Sequence, residues 1–180
     1  MSVKLATARG LTSSLEPGLV LLNTTSFTGV SSVSINDVFS ANYDHYQIVV
    51  NVSGSAFQTG SIRLRVSGAD DSNAVYDYSG QYMSSASNVW QNIGVGANQT
   101  NWLGFMYGTN GLQYNKINIH NPFSTNRTLF YGETHEPGAG NLMVIRSGQF
   151  RNTTSFTGIS FIQSGGTTFT GSIQVYGYNK

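Results

Sequence analysis

Side chains able to ligate metals or move protons are few in this 180-residue chain. The histidines are His45, His120 and His135. With Glu133 or Glu136, His120 and His135 would make a nitrogen-and-oxygen ligand set of the kind zinc or non-haem iron takes. Glu133 and His135 stand two apart, so a strand would put them on one face. Pro137 follows at once, which makes this segment a strand end or a loop. The chain has no Cys, which removes thiolate nucleophiles, Cys-based zinc sites and disulfides. Its 23 serines include no GxSxG elbow, so hydroxyls serve turns and sheet surfaces before they serve acyl transfer. Glycoside cleavage needs two facing carboxylates. The candidates are Asp70, Asp71, Asp77, Glu133 and Glu136, of which Asp70 and Asp71 fall in the loop-like Gly68–Asn73, GADDSN. That loop lacks the spacing of a calcium hand and reads as a turn built from Asx side chains. The expectation is no enzyme: no catalytic residue, no metal and no cofactor.

Aromatic residues carry the other recognition chemistry. Tyr76, Tyr78, Tyr82 and Trp90 fall in one stretch, and Trp102, Phe105, Tyr107 and Tyr114 in another. Tyr76 and Tyr78 would share a strand face. Such rows stack on sugar rings, line subunit interfaces where Tyr and Trp are enriched, or fill cores. Tyr76, Tyr78, Tyr82, Trp90 and Trp102 are the candidates for a glycan or subunit contact.

The elements that position these residues read as strands. Only 9% of residues are charged, well under the usual ~25%. Ser, Thr, Asn and Gly make up 78 of 180, which gives a polar but uncharged skin. A net charge of +1 offers no footprint for nucleic acid. No apolar run is long enough to cross a membrane, and Met1–Gly10 does not resemble a secretory signal. A hydrophobic share of 39% with 22 aromatics suffices for a core and excludes a disordered chain. His45–Ser53 alternates with Tyr46, Ile48, Val50 and Val52 on one face. Ser61–Ser67 alternates with Ile62, Leu64 and Val66 inward and Arg63 and Arg65 outward. Lys116–His120 turns Ile117 and Ile119 inward. Further strands read at 128–134, 142–150, 158–163 and 171–178, the last with Ile173 and Val175 inward. Turn pairs such as Asn110-Gly111 and Pro137-Gly138 separate them. No segment shows helical periodicity. About ten short strands imply an all-β, antiparallel two-sheet sandwich, jelly-roll-like. An immunoglobulin-like sandwich is too short for this chain and lacks its Cys-Trp-Cys frame. Residues 1–18 read as an extended N-terminal arm and 19–180 as the sandwich domain. The heptapeptide NTTSFTG occurs twice, at 23–29 and 152–158. It implies two strands in equivalent environments, neighbours near the two ends of the sandwich, with Phe27 and Phe156 in the core.

Residues 18–50 include Phe39-Ser40-Ala41-Asn42-Tyr43-Asp44-His45-Tyr46, and 158–180 end in Val175-Tyr176-Gly177-Tyr178. These two segments, 56 residues in all, resemble the opening and closing strands of a group of bacteriophage virion proteins. The segment VKLATARG, 3–10, resembles the start of phage fibre and decoration proteins. The resemblance implies a virion structural protein, often homotrimeric, assembled in the host cytoplasm and placed on the particle surface. The five Asn-x-Ser/Thr triplets would then carry no sugar. The first expectation is a capsid decoration or cement protein, or a head knob. It would dock on the major capsid protein through Val3, Lys4, Leu5, Arg9 and Leu11 of the arm and through the sandwich base. The second is a tail fibre or tip domain that reads host surface glycans. Neither expectation involves nucleic acid or membrane.

Overall fold

A computed structural model of the chain describes residues 18–56, 58–87, 89–108, 111–137 and 141–180. The arm residues Val3, Lys4, Leu5, Arg9 and Leu11 lie outside the described residues. The strands are β1 (Leu19–Val30), β2 (Ser32–Ile35), β3 (His45–Gly54), β4 (Gln58–Val66), β5 (Ala69–Asp70), β6 (Tyr76–Met83), β7 (Gln91–Gln99), β8 (Trp102–Gly108), β9 (Leu112–His120), β10 (Thr128–Glu136), β11 (Leu142–Phe150), β12 (Gly158–Gln163) and β13 (Phe169–Tyr178). An eight-stranded sheet runs β1-β13-β3-β9-β10-β11-β6-β7. A second runs β2-β12-β4-β5, with β8 pairing the other end of β4. Every pairing is antiparallel. The fold is an all-β, antiparallel, jelly-roll-like sandwich.

Alternation decides which side of each strand is dry. Tyr46, Ile48, Val50 and Val52 of β3 are fully buried, as are Ile117 and Ile119 of β9 and Ile173 and Val175 of β13. They meet Ile62, Leu64, Ile159 and Phe161 of the smaller sheet in one cluster. Each such side chain contributes about 1.5–3 kcal/mol on leaving water. Aromatic pairs bridge the core: Tyr76 against Trp102 and Phe150, Trp102 against Phe130, Phe150 against Phe156, and Phe105 against Phe161 and Phe169.

Three expectations need correction. Tyr76 and Trp102 touch no outside partner, because both are completely buried. Arg65 projects to the outer side of β4 but is not solvated. It pairs with Asp70, donates to the Gly68 carbonyl, and reaches Asn36, Ser34 and Ser160 at 2.7–2.9 Å. The two NTTSFTG copies are not equivalent. The first lies in β1, whereas the second is an irregular approach to β12. Gly29 adopts φ +62° with open space around it. Gly158 instead lies so close to the Ile35 carbonyl that a Cβ would not fit. As the position of Pro137 implied, the Glu133–Glu136 segment is a strand end: β10 stops at Glu136, which turns inward and is buried.

Candidate surface site on the outer face of the larger sheet

Inner residues of β9, β10 and β11 alternate with an outer set: Leu112, Tyr114, Lys116, Asn118 and His120; Leu129, Tyr131, Glu133 and His135; Met143, Ile145, Ser147 and Gln149. Lys116 and Glu133 are the only charged side chains in that set. They face each other in register and pair at 3.7 Å, each over a third exposed. Leu112, Tyr114, Leu129, Tyr131 and Met143 are large, apolar or aromatic, and exposed. Register aligns them in rows. Asn51, Tyr114, His135, Met143 and Met83 cross five neighbouring strands, β3 to β6. Gln47, Asn118, Tyr131 and Ser147 form another row. Directly opposed residues in antiparallel strands stand about 4.5–5.5 Å apart, so each row is a continuous ribbon of side chains.

At one end of this face lies a depression of about 640 Å³, lined by Met83, Tyr114, Glu133, His135, Asn141 and Met143 and edged by serines of the β6–β7 turn. Its walls combine two thioethers and a phenol ring with a carboxylate, an amide and hydroxyls. His135 Nε2 donates to Asn141 Oδ1 at 2.9 Å, which leaves Nδ1 as an acceptor in the neutral ring. At the other end His45 and His120 oppose each other across β3 and β9, with Nδ1 atoms 2.9 Å apart. Burial first, and His45 second, hold the His120 pKa below its ordinary value.

The sequence-derived candidates distribute differently. Tyr76, Tyr78 and Tyr82 share the face of β6 that turns toward the other sheet, opposite Phe150, Gly148 and Val144. The Tyr76 hydroxyl, raised in pKa chiefly by burial, donates to the Asp71 carbonyl at 2.9 Å and accepts from the Leu64 amide at 3.1 Å. Tyr78 is half-buried, its ring lying over Gly96, and burial raises its pKa also. Tyr82 is half-buried and bonded to Gln91. Trp90 alone of the five is exposed, at 40%. Trp102 Nε1 donates inward to the Gln149 carbonyl at 3.1 Å.

The metal and hydrolase sets do not assemble as groups. His120 and His135 sit at opposite ends of the β9–β10 pair, and Glu136 points to the other side. Asp70 pairs with Arg65, Asp77 with Arg151 at 3.3 Å, and Glu133 with Lys116. Asp71 Oδ1 accepts from the Asn73 amide at 2.9 Å, the Asx turn expected of GADDSN. Sequence reading missed Leu129, Tyr131 and Met143. The signal available was the alternation in TLFYGETHE, whose outward positions are as apolar as its inward ones.

No family model matches the chain, and no curated protein does. Among solved structures, the galectin LEC-6 of Caenorhabditis elegans is similar at 12% identity with a TM-score of 0.35. The match covers 88% of this chain and 95% of that one.

Proposed function

We propose that this chain is a structural protein of a bacteriophage particle, a capsid decoration or cement protein or a head knob. In this reading it works as a homotrimer on the particle surface. The resemblance of residues 18–50 and 158–180 to phage virion proteins motivates the reading. The observation that carries it is the outer face of β9, β10 and β11, rich in Tyr, Leu and Met, with one self-paired pair of charges. Interface cores are depleted in charge and enriched in Tyr and Met in this way. The role is mechanical: surface buried between subunits makes the assembled state harder to open.

Two measurements test it. Immunogold labelling of sedimented particles from cells producing the protein should decorate the shell; particles free of label would overturn the reading. By light scattering after gel filtration, the wild type should be trimeric and the double variant Leu129→Asp, Tyr131→Asp a folded monomer. A wild type that stays monomeric at working concentrations would refute the trimer.

A second reading, a tail fibre or tip that binds host glycans, is favoured by the depression around Tyr114, His135 and Asn141. An apolar floor with amide, carboxylate and hydroxyl groups at its edge suits a pyranose ring. Label on the tail, with glycan-array signal lost in Tyr114→Ala, would favour it over the first.

A further inference from the structure

The pairing of His45 with His120 goes beyond that reading. Both residues lie at strand ends, directly opposed across β3 and β9, and both project from the outer face. The rings meet at 66° with centroids 4.7 Å apart, and the Nδ1 atoms are 2.9 Å apart. Among the described residues, no other hydrogen bond to either ring is recorded. With metal–nitrogen bonds of about 2.0–2.1 Å, two ligands at a right angle stand about 2.9 Å apart, and two at the tetrahedral angle about 3.4 Å apart. The two Nδ1 atoms share a hydrogen bond at 2.9 Å, and an ion replacing its proton would find the spacing of the right-angled case, the preference of tetragonal or octahedral centres.

We propose that His45 and His120 form a two-imidazole chelate for a first-row transition-metal dication, Cu²⁺ in preference to Ni²⁺ or Zn²⁺. The two Nδ1 atoms supply adjacent positions, and water fills the rest. The sheet provides preorganisation, since backbone pairing on both sides of β3 and β9 fixes the ligands before any ion arrives. Affinity order follows from ligand type, because imidazole pairs rank Cu²⁺ above Ni²⁺ and Zn²⁺. Ligation needs neutral rings. Asp44, the residue before His45, is paired with Lys180 at 2.9 Å. No group of three or more His, Asp or Glu able to hold a metal stands together among the described residues, so the site is open, unlike a closed structural centre.

The test is calorimetric titration of the full chain, without a purification tag, with CuCl₂ and then NiCl₂. It uses wild type, His45→Gln, His120→Gln and, as a control, His135→Gln. The expected result is one equivalent of Cu²⁺ bound by wild type. Each single variant of the pair should bind about a hundredfold more weakly, because the second imidazole no longer acts intramolecularly. His135→Gln should bind as wild type does. Thermal unfolding followed by circular dichroism shows that each variant is folded. Equal binding by wild type and a folded His120→Gln would overturn the proposal, as would loss of binding in His135→Gln. Particle location and oligomeric state are read separately, so failure here leaves the structural role standing.

Discussion

Replacing Trp102 with alanine should cost this protein a large part of its stability and leave no binding defect of its own. The side chain is fully buried. Its ring packs against Tyr76 at 5.2 Å and Phe130 at 4.6 Å between centroids, and its Nε1 donates to the Gln149 carbonyl at 3.1 Å. Trp102 lies on β8, which pairs β4, and Gln149 lies on β11. One side chain thus ties the two sheets together. Truncating a buried Phe or Trp to Ala costs about 3–5 kcal/mol, and the lost hydrogen bond adds about 1 kcal/mol. The total is a large share of the roughly 5–15 kcal/mol that holds a domain folded. In a chain of this size it corresponds to a fall in Tm of about 10–20 °C. Urea unfolding followed by far-ultraviolet circular dichroism measures it. Trp102→Phe, which keeps most of the packing and loses the N–H, should cost about 1–2 kcal/mol. Trp90→Ala, at an exposed position, should stay within about 0.5 kcal/mol of wild type. If Trp102→Ala unfolds within about 1 kcal/mol of wild type, a spread smaller than any core truncation of this kind, the assignment of Trp102 to the core is refuted.

Tyr76→Phe keeps the ring contacts but leaves the buried Leu64 amide without its acceptor; a loss of about 1–3 kcal/mol is expected in the same urea titration. Gly158→Ala should destabilise by about 1–3 kcal/mol through collision with the Ile35 carbonyl. Gly29→Asn, where φ is positive and space is open, should cost much less, so thermal melts of the two variants will separate the repeat copies. The His120 pKa is depressed in the folded state, so the unfolded chain takes up the proton first as pH falls below about 6.5. Stability from this group is therefore complete above that pH and lost progressively below it, down to the folded pKa. Wild-type stability should drop more steeply than that of His120→Gln in this window; parallel curves would dissociate the pair from any pH response.

The strands that could be read from sequence are those with one apolar and one polar face. β3 is the clearest, with Tyr46, Ile48, Val50 and Val52 all inward. β7 escaped because its sequence, QNIGVGANQ, has glycines where apolar inward residues would mark a face. Tyr78 fills the space over Gly96 from the neighbouring strand. Aromatic clustering misled for a related reason. Tyr76 and Trp102 look like a recognition surface in one dimension, but which face is covered depends on the second sheet. In β10, Leu129 and Tyr131 alternate with Thr128, Phe130 and Gly132, so hydropathy does not identify the inner side. The 75-residue separation of His45 and His120 likewise closes only through sheet pairing.

The order of strands has a consequence for how the chain is made. β1 sits at a sheet edge with β13 as its neighbour, and β2 at the other sheet's edge with β12. During synthesis, β1 and β2 therefore leave the ribosome long before their sheet neighbours, which lie within residues 158–178. Until those emerge, nascent chains would carry two strands with unpaired edges, a state prone to aggregation. A chain cut short before β12 would have neither sheet complete, so ribosome-released fragments should fall to proteases while the finished chain resists them.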